Sequence, residues 1–74
     1  MEGERVANRI RFRHRGHYYN VTLIERPNDC WSWSYMLHDT LVVSTGKPAR
    51  NYLAAIAEAM SAATAQIDRL IENS

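Results

Sequence analysis

Arginine stands at Arg5, Arg9, Arg11, Arg13 and Arg15 in a stretch, residues 5–24, that holds no carboxylate, whereas residues 25–74 carry four basic and six acidic side chains. From Arg9 to Arg15 every odd position is arginine, and the even positions are Ile10, Phe12 and His14. On an extended strand alternate residues share a face about 6.6 Å apart, which is close to the separation of successive phosphates along one nucleic-acid strand. Tyr18 follows on the next predicted strand as a ring on which a base could stack. Arg9, Arg11, Arg13, Arg15 and Tyr18 are therefore the candidate nucleic-acid contacts. The same alternation has a second use, because charge on an edge strand keeps the strand soluble and stops it pairing with another chain. A formal net charge of +1 excludes a whole-molecule attraction for polyanions, so binding of this kind would rest on a local patch.

Other chemistries find less material. His14, His17 and His38 are the histidines, and no Cys or carboxylate cluster completes a four-ligand set beside them, so no metal is expected. Cys30 follows Asp29, yet there is no nucleophile elbow and no phosphate-binding glycine loop. Gly46-Lys47 matches only the end of such a loop; the upstream glycine and the hydroxyl after Lys are missing. No catalytic residue and no cofactor site is assigned, and an enzyme is not expected. Trp31 and Trp33 could stack on a ligand, but burial in the core is the expectation for side chains this large in a chain of 74 residues.

The elements that would position these residues follow from one change of hydrophobic period. Residues alternate with period two from Arg9 to about Thr45 and repeat with a helical period from Pro48 to Glu72. Arg9–Arg15 and Tyr18–Ile24 read as a hairpin around Gly16-His17. Arg26-Pro27-Asn28-Asp29 supplies turn chemistry. Cys30–Leu37 places Trp31, Trp33, Tyr35 and Leu37 on one side, and Thr40–Thr45 reads as a fourth strand. The fold class is α+β: an antiparallel β-meander of three to four strands followed by one long C-terminal helix packed on one sheet face. The organisation is a single domain, 1–74, with a flexible arm at 1–8, the meander at 9–45 and the helix at 48–72.

On the helix, Leu53, Ile56, Ala57, Met60, Ala63, Ile67, Leu70 and Ile71 form the expected buried stripe. On the sheet, Ile10, Phe12, Tyr19, Val21, Leu23, Trp31, Trp33, Tyr35, Leu41 and Val43 are expected beneath it. The opposite face would then present the arginines with Tyr18, Asn20, Thr22, Ser32 and Ser34, and with Ile24, Met36 and Val42. The competing arrangement, with Cys30, Ser32 and Ser34 against the alanine-rich helix, would leave both indoles outside and weaken a small core.

A helix from Pro48 to Glu72 would run about 37 Å, against about 23 Å for a seven-residue strand. Ile67, Leu70 and Ile71 would overhang, which points to a homodimer with those residues at its interface. A helix that crosses the sheet diagonally, or that frays after Gln66, is the alternative. Composition is that of an ordinary folded protein, 46% hydrophobic and 23% charged. The alanine-rich helix lacks the bulk of a membrane span, no membrane association is expected, and the N-terminus has no signal-like apolar run. A lone cysteine fits a cytoplasmic location.

Four meandering strands followed by one helix is an order similar to that of the small coactivator-type single-stranded-DNA-binding proteins. That family dimerises through its helices; the likeness here is in architecture only, and no residue motif of the family is matched. The spacing of Trp33, Asp39, Gly46, the alanine-rich helix and Ile67-Asp68 also resembles that of many short bacterial proteins. The functional expectation is a small non-enzymatic interaction module, a homodimer engaging another protein. The alternative is single-stranded DNA or RNA binding through the arginine-rich sheet face.

Overall fold

The computed structural model describes residues 5–73, and side chains from residue 8. Four strands, β1 (Arg5–His14), β2 (His17–Arg26), β3 (Cys30–Leu37) and β4 (Thr40–Val43), precede one helix, α1 (Tyr52–Glu72). They form one antiparallel sheet in the order β1-β2-β3-β4, with α1 packed on β2 and β3. The ββββα architecture is the expected one.

The hairpin turn falls one residue earlier than the sequence suggested. Arg15 and Gly16 have φ of 50° and 84°, the left-handed pair that lets two strands with right-handed twist join through two residues. Glycine takes this backbone freely and arginine at some cost. Both strands are also longer than expected. Arg5 pairs with Glu25 and Val6 with Ile24, and a bulge at Ala7 resets the register so that Asn8 meets Leu23. The expected arm at 1–8 therefore gives up residues 5–8 to β1, while residues 1–4 lie outside the described residues.

The helix begins at Tyr52 rather than Pro48. Ala49 exchanges two backbone hydrogen bonds with Trp31, 2.7 and 2.9 Å long, so the segment after Pro48 still belongs to the sheet edge. Asn51 then caps the helix, its Oδ1 accepting from the Ala54 amide at 2.8 Å. The resulting 21-residue helix is about 31 Å long, against about 34 Å for the ten residues of β2. The helix does not outrun its sheet, and the overhang expected at its end is absent. Ile67 is fully buried within the chain, Ile71 packs half-buried against the core, and only Leu70 is exposed, at 45%. No helix among the described residues is long and apolar enough to cross a membrane.

Both indoles lie on the helix side of the sheet, as expected. The core consists of Tyr19, Val21 and Leu23 from β2, Tyr35 and Leu37 from β3, Ala49 from the segment before the helix, and Ala55, Ala59, Ala63 and Ile67 from α1. Ile10, Phe12, Trp31 and Trp33 pack at its margin. The sheet supplies the bulk: Trp33 stacks on Tyr35 with ring centroids 6.2 Å apart, and Phe12 stacks on Tyr19 at 5.5 Å. Against that aromatic layer the helix can come close only through small side chains. Its buried stripe is accordingly Ala55, Ala59 and Ala63, with Ile67 following beyond them, and Leu53, expected inside, is 74% exposed. Polar ties fix the helix: the Trp33 indole donates to Glu58 Oε1 at 3.1 Å, and the Tyr35 hydroxyl donates to Gln66. Burial holds the phenols of Tyr19 and Tyr35 above their ordinary pKa.

The parity of β4 is opposite to the expected one. Leu37 pairs with Thr40 across the two-residue connection His38-Asp39, so Val42 lies opposite Tyr35 and faces the helix. Leu41 and Val43, opposite Met36 and Ser34, face outward instead.

Candidate ligand-binding face

The side of the sheet away from α1 has no covering layer. Alternation and register give this face Arg9, Arg11 and Arg13 from β1, and Tyr18, Asn20, Thr22 and Ile24 from β2. Ser32, Ser34 and Met36 come from β3, and Leu41 and Val43 from β4. Sheet twist shapes part of it into an open concavity of about 500 Å³. Its floor is small and polar, formed by Asn20, Thr22 and Ser34, with Arg9 and Arg11 on one rim and Met36 and Leu41 on the other. The floor is low because those side chains are short.

Charge is divided between the two layers of the fold. Among the described residues no Asp or Glu belongs to the open face. Glu25 is opposite Trp31 and so falls on the helix side, Glu58, Asp68 and Glu72 are on α1, and Asp29 and Asp39 are in turns. Arg9, Arg11 and Arg13 make no ion pair with a described carboxylate. The guanidiniums of Arg11 and Arg13 lie 4.2 and 5.6 Å from the centroid of the Tyr18 ring, within reach of a cation–π attraction. Tyr18, 48% exposed, is thus less a bare stacking platform than a partner that limits the freedom of two arginines.

Arg15 does not join this row. The hairpin turn carries it to the far side, where its Nη1 donates to Asp68 Oδ1 at 3.0 Å. His14 Nε2 lies 2.9 Å from the same oxygen. Hydrogen bonds from His14 and Arg15 hold the Asp68 carboxyl below its ordinary pKa, with their charges adding to the effect. The sequence offers no local sign of this cluster, since Asp68 lies 54 residues from His14. His17 and His38 meet at 3.3 Å across the ends of neighbouring strands. Among the described residues no group of three or more His, Cys, Asp or Glu side chains is placed to hold a metal ion.

A second feature of the open face is apolar. Met36, Leu41 and Val43, exposed by 39, 58 and 56%, meet at the β4 corner. The sequence concealed it, because the wrong parity for β4 sent two of these three side chains to the core.

The chain matches no family model, no curated protein and no solved structure in the comparisons made.

Proposed function

We propose that this protein is a non-enzymatic binding module that takes single-stranded DNA or RNA across its uncovered sheet face. The observation that carries the reading is the row Arg9, Arg11 and Arg13 on a face without a described carboxylate. Two-residue steps along β1 space the Cα atoms of these arginines by about 6.6 Å, from which long side chains can offer a cation to each of consecutive phosphates on one strand. Asn20, Thr22 and Ser34 lie beside them in the concavity and can hydrogen-bond sugar or base edges. A duplex suits the site poorly, because a broad sheet face does not enter a groove as a helix or a two-stranded ribbon does. The same arginines also shield the edge of β1, and the two roles are compatible: shielding guards the backbone edge, whereas binding uses the side-chain face. A cytoplasmic location goes with this reading, since the lone thiol of Cys30 has no partner for an internal disulfide.

Fluorescence anisotropy with a labelled twelve-nucleotide DNA or RNA tests the reading. Three phosphate contacts give a log–log salt slope of about −2 on a single strand, and replacing Arg9, Arg11 and Arg13 together by Ser removes binding while the circular dichroism spectrum is kept. Binding that ignores both salt and the triple substitution refutes the reading. Equal affinity for polyglutamate would reassign the face to an acidic protein partner.

A further inference from the structure

The two edges of the sheet differ in a way the nucleic-acid reading does not use. The β1 edge is ten residues long and carries Arg9, Arg11 and Arg13 as well as the bulge at Ala7. Alternating charge and a bulge are both devices that prevent an edge from pairing with another chain. The β4 edge, Thr40–Val43, is protected only by being short, four residues: it has no charge, no proline and no register shift. It ends the sheet with a row of backbone N–H and C=O groups directed away from β3, and its outward side chains Leu41 and Val43 are more than half exposed.

We propose that β4 pairs antiparallel with β4 of a second copy of this chain about a two-fold axis, giving an eight-stranded sheet with one continuous open face. An isologous contact needs a surface that is complementary to itself. A neutral strand paired antiparallel with its own copy meets that need, because hydrogen-bonding groups face hydrogen-bonding groups. Leu41, Val43 and the adjoining Met36 then meet their counterparts on the open side. Charge favours this edge over the other. Pairing β1 with β1 would set two arginine rows against each other, whereas pairing through β4 leaves seven strand spacings between the two rows, about 34 Å, far beyond a Debye length of about 8 Å. Only four residues pair on each side, so the interface falls short of the roughly 1,200 Å² of a stable complex and the dimer dissociates on dilution. The proposal stands independently of nucleic-acid binding, and its test uses no ligand.

Sedimentation equilibrium over a concentration series, from micromolar to millimolar, reads the mass directly. The expected result is a rise from the 8.5 kDa monomer toward twice that value, abolished in the double variant Leu41→Lys/Val43→Lys and unchanged in Leu70→Glu. A wild-type chain that remains a monomer at millimolar concentration overturns the proposal. So does a dimer that survives the double variant or is lost with Leu70→Glu, since the contact would then lie elsewhere. Crosslinking keeps the question decidable if the double variant fails to fold. In a Cys30→Ser background, Leu41→Cys should form disulfide dimers under mild oxidation and Arg11→Cys, on the shielded edge, should not; equal yields from the two edges count against the pairing.

Discussion

Arg15 and Asp68 are joined by a 3.0 Å ion pair that ties the tip of the first hairpin to the C-terminal half of the helix. With His14 on the same carboxylate oxygen, it is the polar link between β1 and α1 at this end of the molecule. Because the Asp68 pKa is lowered in the folded chain, its contribution is present above the ordinary value of 3.8 and is lost as pH falls through the lowered one. Asp68→Asn should therefore melt below the wild type at pH 7. The two should converge as pH is taken well below 3.8, which paired thermal melts across the acid range would show. A gap that persists undiminished in acid would mean that the carboxylate acts by something other than its charge.

The phase of the helix gives a sharper mutational contrast. Ala59 is fully buried against the aromatic layer, whereas Leu53, about one and two-thirds turns earlier, is 74% exposed. Ala59→Leu should overpack the interface and cost about 1–3 kcal/mol, while Leu53→Lys should change stability by no more than about 0.5 kcal/mol. Urea denaturation of the two variants distinguishes this phase from one with Leu53 inside, for which the order of the two effects would be reversed.

Helix entry is tested at Asn51. Its side chain supplies the acceptor for the Ala54 amide, so Asn51→Ala should cost about 1 kcal/mol. Pro48, ahead of the Ala49 rung on β3, lies outside the helix, and Pro48→Ala should cost less. A larger loss at Pro48 than at Asn51 in the same denaturation assay would place the start of the helix earlier.

The element order and the side on which the indoles lie were legible in the sequence because each rests on many residues acting together. Five or more alternating positions define a strand whichever one of them is irregular, and burying Trp31 and Trp33 dominates the choice of face. What was not legible depends on single events. The parity of β4 follows from one two-residue connection, and a slip of one residue there exchanges Val42 for Leu41 and Val43. Hydrophobic spacing puts Leu53 in the helix stripe, yet the large rings of the sheet fill the space beneath and call for alanine opposite them, so the buried face is turned to Ala55, Ala59 and Ala63. Of the candidate site, the row Arg9, Arg11 and Arg13 was visible as a pattern. The diversion of Arg15 depends on the left-handed turn at Arg15-Gly16 and on a carboxylate far along the chain, neither of which is marked by periodicity.

That diversion separates two kinds of arginine within one alternating run. Arg13 is on the open face, with its guanidinium 5.6 Å from the Tyr18 centroid; Arg15, two residues on, is spent on Asp68. Arg15→Ser should lower the melting temperature and leave the salt slope of oligonucleotide binding unchanged. Arg13→Ser should reduce the magnitude of that slope by about 0.7, the share of one phosphate on a single strand, and leave the melting temperature nearly as it was, because Arg13, exposed like Arg15, makes no ion pair with a described carboxylate. Measuring both quantities on both variants checks the assignment. Were Arg15→Ser to flatten the slope as Arg13→Ser does, the turn would have to open and release its guanidinium to the ligand, and the phosphate row would contain four members instead of three.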